Sequence, residues 1–458
     1  MNLIPLPATV EMFPGLTTLL GPVQDVHDPA FGPEDYRLTL RDGTAVVESS
    51  SPAGAFYARQ TLGQLADEYG TELPQCQIRD SPRFSWRGVM LDCSRNYFST
   101  EFLLHFLDLM ALHKLNRFHW HLTDDQAWRL EIPGMPEVTR AGSHRLDLRI
   151  EGPPEPAFEG TYSPADVRRV VEHAASLHIT VVPEIETPGH VRALLASHPE
   201  LSCRGKPVEV APTYGVHEDV LCAGNDAVFS SLGKVYDHVA ALFPGPWVHA
   251  GGDECPKVRW KECPRCKKRR ADEGLADEEA LQGWFMKRVA RMLADRGKIM
   301  VGWDEILEGG CSPDSVIMSW RGMEGGATAA KAGHSVVMAP QTEGCYLDHK
   351  AEDSPRSAGR LGIATLETGY AFNPLPPNLT NAQSARILGA QANLWTEAVY
   401  WGDHVEFMAF PRLCALAETF WTPLERKDLG GFRQRLAVHR KRLDARDVAY
   451  NPRGFGVS

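Results

Sequence analysis

The chain has 458 residues, 43% hydrophobic and 23% charged, with 48 basic against 59 acidic side chains and a formal net charge of −11. A chain of this length builds a large core, and no window of about 18 apolar residues offers a membrane-spanning helix. The acidic balance, with no basic run beyond "KKRR" at 267–270, disfavours a nucleic-acid partner.

The N-terminus, "MNLIPLPATVEMFPG", has no basic start and is interrupted by prolines, so no signal peptide is evident and a cytoplasmic protein is expected. "YRLTLRDGTAVVESSSPAGAFYARQTLGQLADEYG" then reads as a strand, an Asp-Gly hairpin turn, a strand and a helix. Residues 1–82 are therefore expected to form a small α+β domain. From 83 to 458, short apolar runs alternate with amphipathic stretches. The runs are "RGVMLDCSR" (87–95), "NRFHWHLTDD" (116–125), "ITVVPEIE" (179–186), "WVHAGGDE" (247–254), "IMVGWDEI" (299–306), "SVIMSW" (315–320), "SVVMAP" (335–340) and "ILGAQANLW" (387–395). Among the helices between them, 99–115 opens on Ser99 as N-cap, and 163–178 on Ser163 with Pro164 at the first helical position. Eight buried strands separated by helices specify an α/β fold, a closed (β/α)8 TIM barrel, ending in a C-terminal helix over 429–448.

The runs are apolar in their early part and most end polar, charged or aromatic: Arg95, Asp124 and Asp125, Glu186, Asp253 and Glu254, Asp304, Trp320, Trp395. Barrel enzymes build their sites at the C-terminal strand ends, so these side chains should converge on one mouth. Carboxylates among indole faces suit a sugar, whose ring faces are apolar and whose rim is hydroxylated. Glycosidic cleavage usually takes two carboxyl groups. In "HAGGDE", however, Asp253 and Glu254 are adjacent, with α-carbons about 3.8 Å apart. The preceding glycines make a bend cheap. Neighbouring carboxylates suit neighbouring substrate atoms better than two sides of one carbon. An acetamido sugar offers that arrangement, because its 2-acetamido group can act as an internal nucleophile. Two carboxylates so close should not both ionise easily, which helps Glu254 keep a proton.

Taken in order, "RGVMLDCSRNYF", "HWHLTDDQAWRLEI", "PEIETPGH", "HAGGDE", "GWDEI", "SW", "YLD" and "NLWTE" resemble the motifs of the family 20 glycoside hydrolases, the β-N-acetylhexosaminidases, along essentially the whole chain. The resemblance implies an exo-acting, retaining enzyme that removes terminal β-linked N-acetylglucosamine or N-acetylgalactosamine by substrate assistance through an oxazolinium intermediate. It makes Glu254 the general acid and base, Asp253 the group that orients the acetamide, and Tyr346 a hydrogen-bond donor to the acetamide oxygen. Trp303, Trp320 and Trp395 would wall the pocket, and Arg95, Asp348 and Glu397 would hold hydroxyls. His190 with Asp124 or Asp125 resembles a buried support network, to which Glu186 and His249 are assigned. The family often has Asp where this chain has Glu186, which puts the carboxylate spacing there in question. No cofactor and no metal are implied, and the partner is a carbohydrate.

Two other readings are weighed. In "HWH", His119 and His121 face one way on a strand, as in metal-dependent amidohydrolase barrels, but the later strand ends carry Glu, Trp and Asp. A non-catalytic sugar-binding barrel could keep the tryptophans and Arg95 but would have no need of Asp253, Glu254 and Tyr346 together. The ten cysteines read mostly as reduced thiols. "CPKVRWKECPRCKK" supplies Cys255, Cys263 and Cys266, three ligands where a closed zinc site takes four, so spare thiols or a local disulfide are expected. Cys203 and Cys222 bracket a loop and could pair in an exported protein.

Overall fold

The computed structural model describes residues 1–145, 159–351 and 362–455. Five strands of the N-terminal segment, β1 (Thr9–Thr17), β2 (Gln24–His27), β3 (Tyr36–Arg41), β4 (Thr44–Ser49) and β5 (Leu73–Asp80), form one sheet in the order β1-β5-β3-β4-β2. The β3–β4 hairpin turns through Asp42 and Gly43, at φ +47° and +79°, the left-handed pair an Asp-Gly turn supplies. The helix Pro52–Tyr69 follows, capped by Ser51, and packs Tyr57, Ala58 and Leu65 on Leu38, Val47 and Ile78. Sequence analysis placed β3, β4 and this helix but not β1, β2 or β5. β1 is interrupted by Pro14 and Gly15, where its register with β5 shifts, and all four residues of β2 are exposed, so neither carries an alternating apolar signal.

Eight parallel strands then close a barrel: β6 (Trp86–Asp92), β7 (Arg117–His121), β8 (Thr180–Thr187), β9 (Trp247–Gly251), β10 (Ile299–Trp303), β11 (Val316–Ser319), β12 (Val336–Met338) and β13 (Ile387–Leu394). β13 pairs with β6 from Gly389–Trp86 to Leu394–Leu91, which closes the ring. The eight expected runs all become barrel strands; where a run ends in polar or aromatic residues the strand stops before the last of them, except β8, which runs through Glu186 to Thr187. The outer helices begin where capping residues stand. Ser99 accepts from the Phe102 N–H at the start of Thr100–Leu112, and Ser163 with Asp166 forms a reciprocal capping box at the start of Pro164–Ser176. The last helix, Leu429–Asp444, is capped by Asp428. Among the described residues no helix is long and apolar enough to cross a membrane.

The two parts share buried polar bonds. Arg87 of β6, fully buried, donates to Glu34 (2.8 and 2.9 Å) and to Tyr57, while Lys114 donates to Asp80 (3.0 Å) and Tyr36 (2.8 Å). Trp421, from a helix of the barrel's C-terminal portion, sits in the core of the N-terminal sheet.

Candidate active site

At the C-terminal strand ends lies a cavity of about 290 Å³, to which seven of the eight barrel strands contribute. Arg95 follows β6, His190 follows β8, and Asp253 and Glu254 follow β9. Trp303 ends β10 and Trp320 follows β11; Gln341 and Tyr346 follow β12, and Trp395 and Glu397 follow β13. The volume is at the lower edge of the ~300–1,000 Å³ usual for ligand sites, which suits one sugar ring better than a stretch of chain. A larger hollow of about 790 Å³ lies at the opposite end, lined by the strand starts Arg117, Thr180 and Val181, the end of a barrel that serves stability.

The turn that presents the two carboxylates has a steric explanation. Gly251, Gly252 and Glu254 all have positive φ, +67°, +99° and +41°. A Cβ on Gly251 would overlap the Glu186 carboxylate, and one on Gly252 would overlap Ile306. The glycines therefore both permit the bend and make room for their neighbours. His190, which faces the pair, also has positive φ, +51°. Two non-glycine residues held in this sparsely populated region at one cavity are backbone strain of the kind that collects at functional sites.

His190 joins the carboxylates to a buried chain. Its Nε2 lies 3.4 Å from Glu254 Oε2 and 3.7 Å from Asp253 Oδ2, and its Nδ1 lies 3.0 Å from Asp125 Oδ2 and 3.3 Å from Asp124 Oδ1. Burial opposes the charged imidazole, but Asp124, Asp125 and Glu254 outweigh it and hold His190 well above its usual pKa. Asp124 also accepts from Arg95 Nη2 (2.8 Å) and His121 Nε2 (3.0 Å), and stays well below the usual carboxylate range because Arg95 and His190 outweigh its burial. Arg95 is further oriented by Gln126 (2.8 Å), and its guanidinium lies 5.1 Å from the Trp395 ring centre.

Asp253 is pushed up to about 6, chiefly by burial; His190 pulls it down, while Glu184, Glu254 and Asp124 add repulsion. Repulsion within the pair was expected to keep a proton on Glu254; the shift resolved here is instead on Asp253, with burial its largest cause and the Glu254 charge a lesser one. Glu186, buried beside Asp253 and Glu184, is driven well above the carboxylate range by burial first and those two charges next, and holds its proton. Tyr346 is buried on a segment bridged to Asn393, with burial raising its hydroxyl well above 10. Trp320 donates to Glu305 Oε2 at 2.9 Å; burial, then Asp253 and Asp304, push Glu305 up to about 9.

Of the residues named from the sequence, Arg95, His190, Asp253, Glu254, Trp303, Trp320, Tyr346, Trp395 and Glu397 meet at the cavity. Asp124 and Asp125 stand behind them, and Asp348, two residues beyond Tyr346, is buried outside the lining set. Asp304, expected at the mouth, instead pairs with Arg321 (2.8 Å) and takes a hydrogen bond from Ser319. His249 joins a hub inside the barrel that sequence reasoning missed. Glu184 binds His249 Nδ1 (2.6 Å), His119 Nε2 (2.9 Å), His121 Nδ1 and Trp303 Nε1 (3.0 Å). The two "HWH" histidines are engaged by this carboxylate. Burial lowers His119 to about 4, whereas Glu184 and Asp124 overcome burial and raise His121 to about 10, so of the two it is His121 that carries the charge. Gln126, Gln341 and Glu305 were also missed. The missed signal for Glu184 was the alternation of "HWH" against "PEIE", with His121 in register with Glu184 on the adjacent strand.

The profile described as glycosyl hydrolase family 20, catalytic domain, matches residues 84–424, and that for domain 2 of the same family matches residues 21–81. A β-hexosaminidase of Porphyromonas gingivalis is 45% identical over 430 residues, covering 91% of this chain and 54% of the relative. The chain thus spans about half the length of that protein. A β-hexosaminidase of Akkermansia muciniphila is 33% identical, with 96% of this chain and 90% of the relative covered. The crystal structure of the exo-β-N-acetylglucosaminidase of Vibrio harveyi in complex with N-acetylglucosamine superposes with a TM-score of 0.88 at 31% identity, covering 98% of this chain and 78% of that one. With a matching profile over most of its length and a relative matched nearly end to end, the chain belongs to glycosyl hydrolase family 20.

Proposed function

We propose that the protein is an exo-acting, retaining β-N-acetylhexosaminidase that hydrolyses terminal β-linked N-acetylglucosamine or N-acetylgalactosamine with the substrate's own acetamide as nucleophile. The observation that carries this reading is the placement of Asp253 and Glu254 side by side, both within 3.7 Å of His190 Nε2, in a cavity sized for one sugar and walled by Trp303, Trp320 and Trp395.

In the first step Glu254 gives its proton to the glycosidic oxygen while the acetamide oxygen attacks the anomeric carbon, forming a bicyclic oxazolinium ion. Asp253, ionised above about pH 6, accepts the acetamide N–H and offsets the positive charge that develops on the ring. Tyr346 donates its hydroxyl proton to the acetamide oxygen; its raised pKa keeps it a donor. In the second step Glu254 takes a proton from water, which opens the oxazolinium with retention. The charged His190 steadies both carboxylates, and Arg95 and Glu397, which line the cavity, hold hydroxyls. A cavity of about 290 Å³ holds one terminal sugar, which agrees with exo cleavage.

The test is release of nitrophenol from aryl N-acetyl-β-glucosaminide and N-acetyl-β-galactosaminide, with a sugar thiazoline as inhibitor. Hydrolysis with competitive thiazoline inhibition is expected. Hydrolysis that the thiazoline does not inhibit would remove substrate assistance, and no release from either sugar would remove the activity.

A further inference from the structure

Away from the cavity, four cysteines from three separate stretches meet. Cys203 and Cys222 lie in the connection after β8, and Cys263 and Cys266 flank the start of the helix Pro264–Asp272, in "CPRC". Their sulfurs are 3.7 Å apart for Cys203–Cys266, 3.8 Å for Cys222–Cys263 and 3.6 Å for Cys222–Cys266, and all four lie within 4.8 Å of one another. Cys222, Cys263 and Cys266 are buried and Cys203 is half-buried.

A disulfide would put two of these sulfurs about 2.05 Å apart, and none is so placed. Four unconnected thiols sharing one buried point would instead be a poor use of space, since thiols are weak hydrogen-bonding partners. A tetrahedral ion bound at about 2.3 Å from each sulfur separates the sulfurs by roughly 3.8 Å, which the Cys203–Cys266, Cys222–Cys263 and Cys222–Cys266 pairs match. The sequence reading counted only three ligands and included Cys255. The structure leaves Cys255 outside the cluster and adds Cys203 and Cys222, which completes a set of four.

We propose that Cys203, Cys222, Cys263 and Cys266 form a structural zinc site. Binding releases the thiol protons and leaves a doubly negative zinc–tetrathiolate. Arg265 stands at its edge, donating to the Ser202 and Cys203 carbonyls (2.9 and 3.4 Å), and offsets part of that charge. The backbone around the cluster is already fixed: Ser202 and Leu221 form an antiparallel bridge, and the Cys222 N–H donates to Leu201. The metal fastens the connection after β8, which carries His190, to the connection after β9, which carries Glu254. Trp260 reinforces the same seam by donating to the Leu221 carbonyl (2.9 Å), as does Arg259 with Asp219 (3.1 Å).

Elemental analysis of the full chain, purified without a metal resin and dialysed against a weak chelator, should give one zinc per chain. Cys222→Ser and Cys266→Ser should lose it, and Cys255→Ser should retain it. Cobalt(II) exchanged into the wild-type protein should show thiolate-to-cobalt charge transfer and the intense visible bands of tetrahedral coordination, a readout that does not depend on the serine variants folding. Stripping the metal with a strong chelator should lower the melting temperature. A metal-free protein with four alkylatable thiols, a Cys203–Cys222 disulfide by mass spectrometry, or iron in place of zinc would each overturn the assignment.

Discussion

Asp253 is the residue at which charge, burial and chemistry conflict most directly. Its pKa of about 6 stands above the ~3.9 of an unfolded aspartate, so the folded chain binds this proton more tightly than the unfolded one. The stability this contributes is full below about pH 4 and is lost as pH rises through about 6. At neutral pH the ionised carboxylate is therefore a burden on the fold. Asp253→Asn should raise stability at pH 7 by roughly 1–3 kcal/mol, and denaturant unfolding should lose part of its pH dependence between about 4 and 6. The same substitution should cut kcat by about 10²–10³-fold, because the amide cannot balance the charge of the oxazolinium. For the wild-type enzyme, kcat/KM should fall as pH drops through about 6 and the Asp253 anion is lost. A destabilised Asp253→Asn protein, or an unchanged turnover, would contradict this account.

At the scale of elements, the turn after β9 depends on two side chains fitting one space. Ala at 251 meets both a positive φ and the Glu186 carboxylate, so Gly251→Ala should cost about 1–3 kcal/mol and most of the activity. Glu186→Asp shortens the obstructing side chain without touching φ, so the double variant should recover part of the loss; purely additive effects in a double-mutant cycle would show that the two do not share the space. The strands that carry this turn were legible because parallel barrel strands, buried on both sides, read as unbroken apolar runs. The polar residues at their ends were legible for the same reason, as sudden departures from those runs. The Glu184 hub was not, since a carboxylate one strand away from three histidines becomes visible only when the register of β7, β8 and β9 is fixed. Gln341 and Glu305 belong to short 3-10 turns, whose direction no periodicity announces. The cysteine cluster was hidden for a third reason: its members come from the separate connections after β8 and β9, which only the pairing of those two strands sets side by side.

Considered whole, the molecule is joined by charges buried between sheet and barrel. Lys114 is 1% exposed, and burial pulls its ammonium below its usual pKa despite the adjacent Asp80. Asp80 Oδ2 accepts from Lys114 (3.0 Å), Tyr36 (2.8 Å) and Trp421 (3.0 Å), and the ammonium also lies 4.5 Å from the Trp421 ring centre. One carboxylate thus ties β3 and β5 of the small sheet to the turn that leads into β7 and to the helix Arg412–Trp421. Replacing both members of a buried ion pair can be nearly neutral, whereas removing one strands a charge at a cost of about 3–5 kcal/mol. Lys114→Met should therefore lower the unfolding free energy by about that amount. Adding Asp80→Asn to it should cost less than the sum of the single changes, with a coupling above about 1 kcal/mol. Because the cavity lies at the other end of the barrel, kcat and KM for an aryl N-acetylhexosaminide should stay within about twofold at a temperature where Lys114→Met is folded. Strict additivity in the cycle would mean that Tyr36 and Trp421 hold the junction without the charge, and a large change in KM would mean that the junction is felt at the mouth.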